Sequence, residues 1–252
     1  MTILTPQQLR EVVPQNNNVL INVGLIGNGM EKNITYKTLS LLYDPKFNSE
    51  WHSITIGKVV KTPKKLTVGM IQGEMSWKTK IEIMPGDTAI FSFEEMLRIY
   101  KGHSSKYIIC SGELYVFVSY DKIYAVKRNT VPIMINGYCL VEPVFYHQEV
   151  QHISKDLNLG SLVMPRSIGA TKSRYGKVIR LAEPNEYYIN SKGGKSYLDQ
   201  DNGVNVGDIV LISKNSDIAL ENFGHEKFFG GRQYYRIQRR RMEMVVEINL
   251  VN

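Results

Sequence analysis

At 252 residues, 43% of them hydrophobic, the chain is long enough for one large domain or two of about 120 residues. Its formal net charge of +7 admits an acidic partner, nucleic acid included, without naming one. Two cysteines, Cys110 and Cys139, sit in apolar runs and read as small buried hydrophobes, which argues against a disulfide framework and fits a reducing cytoplasm.

In chain order, Thr5-Pro6-Gln7-Gln8 sets a capping threonine before a first-turn proline, with a glutamine at the third helical position. This pattern predicts a short helix ending near Val13-Pro14. The N-terminus lacks the basic-then-apolar order of a leader, and no apolar run approaches the roughly 18 residues of a membrane span. Asn16 to Asn18 turn into a strand over Val19–Val23. Gly24-Leu25-Ile26-Gly27-Asn28-Gly29 follows that strand as a phosphate loop would, but its spacing is not a dinucleotide fingerprint, and it reads as a glycine-rich turn. Residues 33–55 are polar and aromatic around an apolar knot, Leu41-Leu42-Tyr43, placed before Asp44-Pro45.

Ile54 to Val60 predicts a strand, and Pro85-Gly86-Asp87 a turn into the strand Thr88–Phe91. Glu94 to Tyr100 predicts two helical turns, and Leu114–Val118 and Ile123–Val126 further strands. Arg128-Asn129-Thr130 is the expected junction. Beyond it, Val131 to Pro143 predicts the opening strand of a second unit.

Gly160 to Gly176 reads GSLVMPRSIGATKSRYG. The apolar tripeptide Leu162-Val163-Met164 stands between Gly160-Ser161 and Pro165, followed by a polar, basic run with too little to bury to offset the entropy of ordering it. A mobile loop carrying a partner-binding tripeptide is one reading, and a tripeptide folded back onto the core is the other. Gly176-Lys177-Val178-Ile179 begins a strand, residues 183–203 are expected as a long solvated hairpin, with a functional loop as the alternative, and Val206-Gly207-Asp208 is a second Gly-Asp turn before Ile209–Ile212. Tyr234–Ile237 and Met242–Glu247 are the last strand signals, and Ile209, Val210, Leu211, Val245 and Val246 are expected to supply much of the second core.

An internal repeat emerges from these pieces. Gly57 of GKVV and Gly176 of GKVI are 119 apart (176 − 57), Gly86 and Gly207 are 121 apart (207 − 86), and Val126 and Val246 are 120 apart (246 − 126). The expected division is an N-terminal helical extension over 1–14, a diverged first copy over 15–128 and a second copy over 131–252.

In this order, GSLVMP, the Gly-Lys-Val-Ile strand start, the VGDIV turn and strand, and the closing MEMVVE resemble the GroES-type co-chaperonins, the ten-kilodalton partners of the cage-forming chaperonins. The resemblance implies an all-β chain of two tandem GroES-like β-barrels with a short N-terminal helix. It further implies a homo-oligomeric ring that caps an ATP-bound chaperonin over a client protein, with Gly160, Ser161, Leu162, Val163 and Met164 as partner-binding residues. Leu41, Leu42 and Tyr43 are their first-copy counterparts. The alternative is a non-enzymatic structural ring component of a larger assembly, such as a virion, built on the same barrel.

No enzyme is expected. Zinc-dependent dehydrogenases also carry a GroES-like barrel but need a nucleotide-binding domain for which this chain has no fingerprint. The five histidines are scattered, and His147 and His152 have no third ligand nearby, so neither a metal nor a cofactor is expected. Arg239-Arg240-Arg241 departs from the family, where this turn tends to be acidic. It reads either as a solvated turn or as a contact to nucleic acid or an acidic protein.

Overall fold

The computed structural model describes residues 2–25, 55–71, 73–143, 175–197, 203–213, 218–219 and 234–246. The chain is mostly β, with two short α-helices among the described residues. Helix α1 (Pro6–Glu11) begins at the expected capping box: Gln8 N–H donates to Thr5 Oγ1 at 3.3 Å, and Thr5 N–H donates to Gln8 Oε1 at 2.9 Å. It stops at Glu11, short of Val13-Pro14, because Val12 is already extended and Pro14 disfavours helical geometry in the residue before it. Helix α2 (Phe93–Tyr100) starts from Ser92, whose Oγ accepts from Glu94 N–H.

The N-terminal strands are β1 (Thr2–Ile3), β2 (Asn18–Leu25), β3 (Ile56–Lys61), β4 (Trp77–Lys78), β5 (Thr88–Phe91), β6 (Tyr107–Cys110), β7 (Glu113–Ser119) and β8 (Ile123–Arg128). A tight hairpin through Asn129 and Thr130, both at positive φ, leads into β9 (Val131–Met134). After it come β10 (Tyr138–Pro143), β11 (Tyr175–Leu181), β12 (Tyr187–Ile189), β13 (Lys195–Ser196), β14 (Ile209–Ile212), β15 (Ile218–Ala219), β16 (Tyr235–Gln238) and β17 (Met242–Val246). They form an eight-stranded sheet, β1-β6-β7-β2-β3-β5-β8-β9, a six-stranded sheet, β15-β16-β10-β11-β14-β17, and a small sheet, β13-β12-β4. Among the described residues these sheets are open, where two closed barrels were expected.

The orders β7-β2-β3-β5-β8 and β16-β10-β11-β14-β17 follow the same path. Their registers also correspond. Leu20 faces Lys61 and Ile21 faces Val59 across a bulge, while Leu140 faces Arg180 and Val141 faces Val178 across another. Ile90/Phe91 against β8 and Leu211/Ile212 against β17 each carry a bulge. Both Gly-Asp turns are tied alike: Gly86 and Gly207, at φ of 97° and 102°, donate to Val59 O and Val178 O, each at 2.8 Å. Only glycine adopts that backbone conformation without strain.

Alternation along β2, β3, β5, β7 and β8 gathers Val19, Ile21, Val59, Ala89, Phe91, Leu114, Val116, Ile123 and Val126 into one core. Cys139, Val141, Val178, Val210, Ile212 and Ile237 form its smaller C-terminal counterpart. Of the five residues expected in that core, Val210 is fully buried, Ile209 and Leu211 are half-buried, and Val245 is 38% exposed. Period two turns Ile209 and Leu211 away from the core, whereas Val245 lies opposite buried Val210 on the core face, in the end strand of its sheet among the described residues. The side chain of Val246 lies outside the described set.

Candidate functional site

Two long connections occupy equivalent places in the topology. One leaves the end of β2 and returns in β3, and the other leaves the end of β10 and returns in β11. All eight residues with an expected partner-binding role fall on these connections: Leu41, Leu42 and Tyr43 on the first, and Gly160, Ser161, Leu162, Val163 and Met164 on the second. They lie outside the described residues, as do His147 and His152.

What the structure does describe is a joint between the two halves, built from residues far apart in sequence. Strand β12 does not stand free as the solvated hairpin expected between residues 183 and 203. It pairs with β4 of the N-terminal half, Tyr187 opposite Lys78 and Tyr188 opposite Trp77. Trp77 lies edge-on to Tyr138 with ring centroids 6.5 Å apart and 6.4 Å from Tyr188. Asn136, at φ 63° and fully buried, centres the polar part. Its N–H donates to Glu82 Oε2 at 2.7 Å, its Oδ1 accepts from Trp77 Nε1 at 3.4 Å, and its carbonyl accepts from Gln238 Nε2 at 3.2 Å and Asn185 Nδ2 at 3.3 Å. Asn185 Nδ2 also donates to Tyr188 OH at 2.8 Å. Burial holds the Glu82 carboxyl above its usual range, with the Asn136 hydrogen bond acting in the opposite direction.

The basic turn belongs to this joint. Residues Arg239–Arg241 form a single 3-10 turn. The Arg240 guanidinium stands 4.4 Å from the Tyr188 ring centroid and 5.9 Å from that of Trp77, and burial lowers its pKa. Arg239 donates to Ala182 O at 3.2 Å, and neighbouring Arg236 lies 3.5 Å over the Tyr124 ring. Arg241 is exposed. Two of the three turn arginines therefore make contacts within the chain.

Sequence reasoning singled out the arginines but not Trp77, Asn136, Asn185, Tyr188 or Gln238. The available signals were the rarity of tryptophan, two in the chain, and the Asn136-Gly137 pair, which favours a left-handed turn. Among the described residues, no three His, Cys, Asp or Glu side chains are grouped to hold a metal, and no helix is long and apolar enough to cross a membrane. No protein-family model and no curated protein sequence matches the chain.

Proposed function

We propose that the chain is a co-chaperonin of duplicated form. It assembles into a ring, closes the open end of an ATP-bound chaperonin and encloses a folding client, while the chaperonin binds and hydrolyses the nucleotide. The observation that carries this reading is topological. The connection bearing Leu162-Val163-Met164 and the one bearing Leu41-Leu42-Tyr43 span the same strand pair in two sets of strands with corresponding order, register and bulges. A duplication of one unit accounts for both sets and places one apolar tripeptide on each.

Burying three apolar side chains contributes about 1.5–3 kcal/mol each, and ordering some ten loop residues costs about 1–2 kcal/mol each, so a single loop binds weakly. A ring that presents many loops at once overcomes this through effective concentration. Co-sedimentation with a chaperonin tests the reading: association that appears with ATP and is absent without it supports it, and no association in either state refutes it. The alternative, a structural ring component, draws on the N-terminal segment, which has no counterpart in the family pattern. It predicts ring assembly without chaperonin binding.

A further inference from the structure

The two halves differ most in what covers the outer face of each sheet. On the C-terminal half this face carries Leu140, Tyr234 and Ile179, and the N-terminal half sits on it through Ile90, Tyr124, Ala125 and Ile56. The register correspondence maps Leu140 to Leu20, Tyr234 to Tyr115 and Ile179 to Val60. These three share one cluster, and what packs on them is the N-terminal segment, through Leu4, Leu9 and Val12. The segment is further tied down by Leu4 N–H to Ile109 O at 2.9 Å, by the parallel pairing of β1 with β6, and by Lys61 Nζ donating to Val12 O at 2.6 Å.

The opposite end is the complement. Ala125 and Ile90, which the N-terminal half presents at the internal joint, map to Met244 and Leu211. Ala125 is 1% exposed and Met244 55%. Strand β17 is the last of its sheet among the described residues, whereas its counterpart β8 is followed by β9. The counterpart of β9 in the N-terminal half is Val12-Val13-Pro14, and Val13 is 48% exposed. Ile135 N–H donates to Tyr124 O, so alternation makes Val126–Ile133 a hydrogen-bonded pair and Ala125–Met134 a non-bonded one. In the same register Val13 meets Val245 at a bonded position, and Pro14, which has no N–H, falls at a non-bonded one.

We propose that residues 2–11 are a stand-in for a second copy of this chain. They occupy, on the N-terminal half, the seat that the N-terminal half itself occupies on the C-terminal one. Their release opens the Leu20–Val60–Tyr115 face to the Leu211–Met244 face of another molecule, with β17 pairing along Val12-Val13-Pro14. The contact is heterologous, so it propagates head to tail and closes only as a ring. It rests on the duplication underlying the proposed function, but not on any chaperonin.

The test compares assembly by size exclusion with light scattering for the full chain, a variant lacking residues 2–11, and the full-length L4S/L9S double variant, each with and without M244K. The two latch variants are expected to assemble at about tenfold lower protein concentration than the full chain, the shift produced by a seat open in about one molecule in ten. M244K should return them to monomers, and a peptide of residues 2–12 added in trans should dissolve the assemblies. Latch variants that are folded by circular dichroism yet monomeric, assemblies that M244K leaves intact, or a full chain that assembles as readily as the variants would each overturn the proposal. If truncation unfolds the protein, L4S/L9S decides on the same readouts. Assembly as expected without chaperonin binding would sink the functional reading and leave this one standing.

Discussion

Asp87 and Asp208 occupy the same place in their turns but have different partners. Each accepts from the backbone three residues earlier, Met84 N–H at 2.8 Å and Asn205 N–H at 2.7 Å. Asp87, 4% exposed, is also held by Arg128, Nε to Oδ1 at 2.9 Å and Nη2 to Oδ2 at 2.7 Å, while position 247, the register counterpart of Arg128, is a glutamate outside the described residues. Removing one member of this partly buried, two-pronged pair leaves the other's charge uncompensated. D87N should therefore cost about 2–3 kcal/mol in urea denaturation, against under about 1 kcal/mol for D208N. Equal costs would show that the ion pair adds nothing to the turn.

Glu82 gives a pH dependence whose sign follows from its burial. Its folded pKa is raised above the ordinary 4.5, so its contribution to stability is fully present below that value and is lost as pH rises through the raised one. E82Q keeps an acceptor for Asn136 N–H and removes the charge. Relative to E82Q, the wild-type denaturation midpoint should fall as pH rises above 4.5. A difference independent of pH would mean that Glu82 is not charged at a cost in the joint.

At the scale of elements, close approach separates the two GKV strands. A Cβ built on Gly57 would stand 2.5 Å from Ile21 Cγ2 and 2.7 Å from Asn22 O, whereas on Gly176 the nearest atom is Val141 Cβ at 3.0 Å. Backbone cannot yield as a flexible side chain does, so G57A is expected to cost about 1–3 kcal/mol and G176A clearly less, both read by thermal melting. The reverse order would contradict the packing of β3 against β2.

The elements legible in the sequence were those with local causes. The capping box fixed the start of α1, glycine at positive φ fixed the Gly-Asp turns, and β-branched runs marked β3, β5 and β14. The joint had no such signature, because Gln238 reaches Asn136 across 102 positions and Arg240 meets Tyr188 and Trp77 only after three strands have been placed. The basic turn was read as solvated or as a partner contact because sequence shows charge but not the aromatic faces that receive it. Ile209 and Leu211 were assigned to the core on composition, and their direction away from it depends on a register that composition does not carry.

For the whole molecule, one set of strands appears twice, each with a long connection at the same place, and the halves are joined by a hairpin and a buried polar and aromatic contact. The functional claim therefore rests on Leu162, Val163 and Met164, which the proposal puts on a tether outside the core. The most direct measurement is chaperonin binding in the presence of ATP by the full chain and by the triple variant L162S/V163S/M164S, with circular dichroism and light scattering on the same samples. The account predicts unchanged fold and assembly with binding lost, since several kcal/mol of apolar burial per loop disappears on every subunit at once. Binding undiminished, or binding lost only because the protein has unfolded, would contradict it.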